Sequence, residues 1–297
     1  MRQDSLAVRV DGVSKRYREV EAVMDVSFEA ARGDVVGVLG RNGAGKSTLV
    51  SMLAGLTSPT AGRISIFGED PRRASVRLKM GVVPQEVTLP GNLTGDEFGE
   101  FVSAHYPASC TAYGDVFERW GLADFSHMRL RRLSGGQRRR IAVGLAFVGD
   151  PDVVILDEPT TGLDPESRRT VWRGIREEAN SGVTVMITSH YMDEIECLSD
   201  RILLMERGEL IEDRPVGEFL EARKRVTVSF EGSASERQVR ELADPEAEVS
   251  MQDGRFKVVT GRSDAFVRGL VSSGMEFEAL RVERSSLEQA LLERLAD

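Results

Sequence analysis

The apolar positions of this 297-residue chain form short continuous runs over its first two thirds and alternating or helical patterns over its last quarter. Val35 to Leu39, Val153 to Leu156 and Val183 to Thr188 have the composition of strands buried on both faces of a parallel sheet. A helix-like stretch, Leu49 to Leu53, follows the first run. Residues 1 to 85 and 150 to 215 thus alternate strands with helices, which predicts an α/β core, whereas Leu93 to Val148 is richer in helical patterns. After about residue 224 the character changes. Val226, Val228 and Phe230 alternate as in a strand, and Ser235 with Gln238 makes a capping-box pattern ahead of Val239 and Leu242. Asp253-Gly254 is a hairpin signal between Glu248–Gln252 and Arg255–Val259. Phe266 and Leu270, at i and i+4, mark a helix, and Phe277 to Val282 a last strand. The order β-α-β-β-α-β predicts a small α+β, ferredoxin-like unit built as a split βαβ. A capped helix carrying Leu287, Leu291 and Leu295 is expected after it. Two domains are therefore expected, residues 1–223 with a helical subdomain at about 87–148, and residues 224–297.

Composition narrows the class. With 41 % apolar residues and a mean hydropathy of -0.23 the chain can bury a core without being a membrane protein. Its longest nearly uninterrupted apolar stretch, Ile141 to Val148, is too short for a bilayer span. The N-terminus lacks a basic-then-apolar leader, so a cytosolic location is expected. Cys110 and Cys197 suggest neither a disulfide framework nor a zinc site. A net charge of -9 argues against broad nucleic-acid binding.

Candidate chemistry begins where the first apolar run ends. Gly40-Arg41-Asn42-Gly43-Ala44-Gly45-Lys46-Ser47-Thr48 fits G-x-x-x-x-G-K-[ST] in the strand–loop–helix setting that this phosphate-binding motif requires. The glycines let successive N–H groups converge on phosphate oxygens, and the helix adds its positive dipole end. Lys46 is one of five lysines among 39 basic residues. It brings a full charge to the β/γ-phosphates, and Ser47 a hydroxyl for Mg²⁺. The second run ends in Asp157-Glu158, at the strand end where α/β sheets place their ligands. Asp157 suits Mg²⁺ and Glu158 a general base acting on water. Leu133-Ser134-Gly135-Gly136-Gln137 opens another helix and offers a second anion cradle. One nucleotide has no evident use for two cradles from one chain, so the second is expected to act in trans. The basic clusters Arg129 to Arg132 and Arg138 to Arg140 are read as solvated or subunit-facing.

Taken together, these residues resemble the ATPase subunit of ATP-binding cassette (ABC) transporters from about residue 6 to about 215. Leu133 to Gln137 matches that family's signature turn. Asp157-Glu158-Pro159-Thr160, with Gly162-Leu163-Asp164, matches its Mg²⁺ strand and inter-subunit loop. The resemblance implies ATP and Mg²⁺ as ligands. It implies that Tyr17 stacks on adenine and that Gly40, Asn42, Gly43, Ala44, Gly45, Lys46, Ser47 and Thr48 hold the phosphates. Ser134, Gly135, Gly136, Gln137 and Asp164 would reach the nucleotide of a second subunit. Glu158, His190 and Gln85 would serve catalysis, with Ser47, Gln85 and Asp157 at the metal. Read without the resemblance, Tyr17 could fill a surface groove, Gln85 could cap a turn, His190 could be a satisfied core group, and Asp164 could simply cap a helix.

The implied protein is a homodimer closed around two ATP molecules on the cytoplasmic face of a membrane. Arginine's dominance over lysine suits a bacterial source. A separate integral membrane permease would dock near Gln85–Tyr106, where Leu89, Leu93, Phe98 and Phe101 could line a groove. The tail of about 70 residues ending in Ser286-Leu287-Glu288-Gln289-Ala290-Leu291 resembles ATPases of ABC-2 type exporters, including those for drugs and antibiotics. That tail would stabilise a dimer, regulate it or simply pack. An importer ATPase, or a soluble cassette acting on ribosomes or DNA, are the alternatives.

Overall fold

The computed structural model describes residues 6–221, 226–252 and 254–284. These divide into two units, one ending at Pro215 and one starting at Val216. The first unit runs β1 (Leu6–Tyr17), β2 (Val20–Ala31), β3 (Val35–Leu39), α1 (Lys46–Leu53), β4 (Ala61–Ile66), α2 (Ala74–Arg77) and β5 (Met80–Val83). Four helices follow, α3 (Gly95–Ser103), α4 (Tyr113–Arg119), α5 (Ala123–Ser126) and α6 (Gly135–Leu145). The unit closes with β6 (Val153–Asp157), α7 (Pro165–Asn180), β7 (Thr184–Thr188), α8 (Met192–Leu198), β8 (Arg201–Glu206) and β9 (Glu209–Pro215).

Two sheets share its core. One is antiparallel, in the order β2-β1-β4, and its strands alternate buried and exposed positions because one face meets water. The other has the order β5-β6-β7-β3-β8-β9, parallel except for β9. Every residue of β3, β6 and β7 is buried, as continuous apolar runs require when both faces are covered. Apolar side chains of α1 (Leu49, Val50, Met52, Leu53) pack with β1, β2 and β4 on one side and with Val38, Ile155, Met186 and Leu203 on the other.

The order of the parallel strands places the chemistry. Because β5, β6, β7 and β3 are neighbours running one way, the loops leaving their carboxyl ends emerge along one edge. Those loops carry Gln85, Asp157-Glu158, Ser189-His190 and Gly40–Gly45 respectively.

The second unit comprises α9 (Val216–Glu221), β10 (Val226–Gly232), α10 (Glu236–Leu242), β11 (Glu248–Gln252), β12 (Arg255–Thr260), α11 (Ser263–Ser272) and β13 (Phe277–Arg284). Its antiparallel sheet has the order β11-β12-β10-β13, the order that a split βαβ predicts, with the first and third strands central. Val228, Phe230, Phe256 and Val258 of the sheet bury against Val239 of α10 and Phe266 and Leu270 of α11. Ser235 and Gln238 make the expected capping box. Asp253 of the hairpin, and the expected helix with its Ser286–Leu291 motif, lie outside the described residues.

Gly81 ties the sheet to the helical segment. A Cβ there would lie 1.8 Å from the carbonyl oxygen of Ala146, just after α6. Gly81→Ala must push that backbone away, with an expected loss of about 2 kcal/mol or more. Both tryptophans, Trp120 and Trp172, lie in the first unit, so the urea midpoint of tryptophan fluorescence reads the effect on that unit.

Candidate functional site

The loop after β3 is built to leave its amides free. Gly43 and Gly45 have φ of 84° and 100°, a region that side chains disfavour. A Cβ on Gly45 would come within 2.3 Å of the Ala22 carbonyl oxygen, so only glycine fits between loop and β2. A Cβ on Gly43 would meet nothing within 4 Å, so the space in front of the loop at the start of α1 is open. Gly45 is the N-cap of α1 and offers no side-chain oxygen, so the first-turn N–H groups remain available to an anion. Lys46 Nζ donates to the carbonyls of Gly40 at 2.8 Å and Arg41 at 3.2 Å. Burial pushes its pKa down, against the pull of Glu158 and Asp157.

Asp157 ends β6 and is buried. Thr188, opposite it on β7, donates its hydroxyl to Asp157 Oδ1. Among the described residues neither Asp157 Oδ2 nor the Ser47 hydroxyl makes a hydrogen bond, so two hard oxygens stay free beside the phosphate loop. Free hard oxygens and an open amide cradle fit Mg²⁺ and a nucleotide phosphate.

Glu158 turns the chain out of the strand in a left-handed conformation, φ 55°, which costs a non-glycine residue about 1–2 kcal/mol. Its N–H donates to both the carbonyl and the hydroxyl oxygen of Thr188, each at 3.1 Å. Its Oε2 accepts from Thr161 Oγ1 at 2.9 Å and pairs with His190 Nδ1. Ring faces of His190 and Tyr191 lie 4.0 Å apart between centroids. A base and an imidazole thus share one hydrogen bond at the sheet edge. Such an arrangement can hold and pass a proton.

Arg139 binds the pieces together, and it corrects the reading of its cluster as solvated or subunit-facing. Arg129, Arg131 and Arg132 are indeed exposed, and Arg140 donates to the Gly121 carbonyl. Arg139 instead is buried, on the α6 face that also carries Ala142, Val143 and Ala146. Its donors go to carbonyls of Pro84, Gln85, Asp157, Glu158 and Pro159, at 2.7 to 3.0 Å. Burial lowers its pKa while Asp157, Glu158 and Glu194 raise it.

The structure therefore brings Asp157, Glu158 and His190 into one hydrogen-bonded cluster, joins the Gln85 backbone to it, and leaves the Gln85 side chain exposed. Among the described residues no hydrogen bond links Tyr17, Asp164 or the Ser134–Gln137 turn directly to that cluster. Tyr17 stands half exposed at the end of β1, with Lys15 Nζ 5.0 Å from its ring centroid. Asp164 caps α7, its Oδ1 accepting from the N–H groups of Glu166 at 3.0 Å and Ser167 at 2.9 Å. Ser134 and Gln137 close a reciprocal capping box at the start of α6. Beside it, a Cβ on Gly135 would meet nothing within 4 Å, whereas one on Gly136 would lie 3.2 Å from Leu163 Cδ2, so the start of α6 is open at Gly135.

Arg139, Thr188 and Glu194 belong to no motif of the sequence. Arg139 is legible as the first of four positions, 139, 142, 143 and 146, that repeat at helical spacing. Thr188 is legible as the residue facing Asp157 once the two strands are paired. Glu194, on α8, gives no signal in sequence. It is fully buried, and its Oε1 accepts from Thr160 Oγ1 and Trp172 Nε1, each at 2.8 Å. Its Oε2 is without a partner.

The family described as ABC transporter matches residues 23–161. The daunorubicin resistance ATP-binding protein DrrA3 of Streptomyces coeruleorubidus is 36 % identical over 311 residues, covering 98 % of this chain and 96 % of that protein. The Nod factor export ATP-binding protein I of Paraburkholderia xenovorans is 42 % identical over 212 residues, 69 % of each chain. Among solved structures, a dimeric post-hydrolysis ATP-binding cassette bound to ADP and Pi superposes with a TM-score of 0.64. It is 24 % identical and covers 70 % of this chain and 98 % of its own.

Burial pushes the Glu194 carboxyl up, opposed by the nearby Ser189 hydroxyl and by the hydrogen bonds from Thr160 and Trp172, and helped by repulsion from Glu158. The folded chain then holds a proton that the unfolded chain has lost, so stability falls as pH rises from the ordinary glutamate range through the raised value. Glu194→Gln keeps an oxygen for Thr160 and Trp172 and removes the titration. Its unfolding free energy, measured from pH 4 to 9, is expected to lose that part of the decline and to exceed wild type at the alkaline end.

Proposed function

This chain belongs to the ABC transporter family, and from that premise we propose that it is the ATP-hydrolysing subunit of a bacterial exporter, working as a dimer beneath a separate membrane permease. One observation carries the reading. Among the described residues the chain presents two helix starts left open at a glycine, Gly43 before α1 and Gly135 in α6, each suited to cradle an anion, and one carboxylate–imidazole pair, Glu158 with His190. The α1 cradle with Lys46 suits the phosphates of a bound ATP, and Tyr17 would stack on the adenine. Among the described residues no hydrogen bond ties the α6 cradle to the Asp157–Glu158–His190 cluster, and the cradle would suit the ATP of a second copy. Two copies head to tail would complete two such sites, with Asp164 at the loop between them.

Mg²⁺, held by Ser47 and Asp157 with Gln85 at its edge, would offset phosphate charge during transfer. Glu158 would take the proton of the attacking water, and His190 would steady the γ-phosphate while holding the Glu158 carboxylate in place. After hydrolysis the α6 cradle would lose the γ-phosphate that gives it reason to stay closed.

Export is supported by the relatives of this chain, a daunorubicin resistance ATP-binding protein and a Nod factor export ATP-binding protein. No helix among the described residues is long and apolar enough to cross a membrane, and in this reading a separate permease would carry the transported compound. The segment from Gln85 to Tyr106 suits its docking. Phe98 and Phe101 of α3 stack there at 6.1 Å, and Phe101 is 57 % exposed. A contact there would hold the chain at the cytoplasmic face of the membrane, and the permease would select the transported compound.

Glu158→Gln is expected to lower ATP turnover by about 100-fold or more with ATP affinity kept, and to accumulate an ATP-bound dimer in size-exclusion chromatography. Wild-type turnover in that variant would remove Glu158 from its role. Ser134→Arg fills the α6 cradle and is expected to abolish ATP-dependent dimerisation while single chains still bind ATP. An unchanged dimer would sink the shared site.

A further inference from the structure

Arg139 uses its whole hydrogen-bonding capacity on backbone. A guanidinium has five N–H donors in a rigid fork, and here each has a carbonyl acceptor. Nε donates to Pro159 at 3.0 Å, Nη1 to Pro84 and Gln85 at 3.0 Å each, and Nη2 to Asp157 and Glu158 at 2.7 Å each. The residue is 8 % exposed, so these bonds form largely out of water, where charge-assisted bonds are strongest and unmet acceptors most costly.

The targets matter more than their number. The Asp157 and Glu158 carbonyls flank the Glu158 Cα, so a single nitrogen, Nη2, fixes the peptide planes on both sides of that left-handed residue. Thr188 fixes the same residue from the other side through its N–H. Nη1 meanwhile grips the turn that carries Gln85, and the stem rises from α6, the helix that opens with the Ser134–Gln137 cradle. Three segments of the proposed site therefore converge on one cation.

We propose that Arg139 is a positioning residue for hydrolysis, holding the Glu158 carboxylate and the Gln85 turn in register with the cradle helix. The inference rests on reading Glu158 as the hydrolytic base. Arg139 touches no substrate in this assignment; it acts through the backbone of residues that do. Lysine cannot replace it, because an ammonium has at most three donors and no planar fork.

The test measures steady-state ATP turnover of the full chain in Arg139→Met, Arg139→Lys, Glu158→Gln and the double variant Arg139→Met/Glu158→Gln, with rates divided by the number of ATP-binding sites. Arg139→Met is expected to lower kcat by about 30-fold or more while KM and ATP affinity stay within about threefold, and Arg139→Lys to remain at least about fivefold below wild type. In the double variant the Arg139→Met substitution is expected to lower the residual rate of Glu158→Gln by less than about threefold, because both changes remove the same base. A merely structural arginine would instead multiply the two losses, and that result overturns the proposal. A kcat near wild type in either single Arg139 variant also overturns it, as does a raised KM with kcat kept. If Arg139→Met does not fold, as read by circular dichroism, Arg139→Lys is judged by the same kcat and double-variant criteria. Full turnover in Glu158→Gln would sink the functional reading itself, whereas an inactive Glu158→Gln beside an active Arg139→Met would sink this inference alone.

Discussion

A parallel sheet covered on both faces must send its strand ends to one edge, and the candidate chemistry depends on that. β5, β6, β7 and β3 lie side by side and point one way, so four loops far apart in sequence become neighbours. No single loop could assemble this set. A phosphate cradle needs glycine freedom, a metal-binding carboxylate needs a buried strand end, and a proton-handling pair needs two adjacent strands. Each requirement is met on a different segment, and burial of Val, Ile and Leu on β3, β6 and β7 holds them in register. The sheet supplies rigidity, and the loops supply reactivity.

Charge balance is the second constraint. Taking an ion out of water costs several kcal/mol even after relaxation, yet Lys46, Arg139, Asp157, Glu158 and Glu194 crowd into or beside the core. The structure offsets this by giving the cations to carbonyl dipoles and to the acids at the same edge. Thr188 accepts the N–H of Glu158 and donates to Asp157, so one hydroxyl serves two neighbouring acids. Glu194, placed deeper, meets the cost differently, since burial favours its neutral form. An anion arriving at Lys46 would therefore enter a site whose charges already compensate one another.

How much of this was legible follows from how local each signal is. Gly40–Thr48, Asp157-Glu158, the Ser134 and Ser235 caps and the Asp164 cap each lie within a few residues, and spacing alone located them. The β-α-β-β-α-β order of the second unit was legible for the same reason. Arg139 was misread because three consecutive arginines look alike in sequence, while the burial of one depends on α6 lying against the Asp157–Pro159 turn. Its helical phase with Ala142, Val143 and Ala146 held the missing information. Glu194 was invisible because its partners, Thr160 and Trp172, come from separate segments. The left-handed backbone at Glu158 was equally hidden, since no residue type announces it.

The capping box of α6 bears on why a chain that already joins Asp157, Glu158 and His190 in one cluster would need a second copy. At the start of α6, Ser134 and Gln137 satisfy each other's amides, which leaves the N–H groups of Gly135 and Gly136 without partners inside the helix. Facing water, those groups lose nothing. Closing another protein surface over them would strand buried donors at about 1–3 kcal/mol each, unless an anion came between. A dry, empty closure of two copies is thus unfavourable, and a closure around phosphate is favourable. Assembly would then be conditional on the very group whose removal ends it, and that conditionality is what lets a chemical step drive a mechanical one.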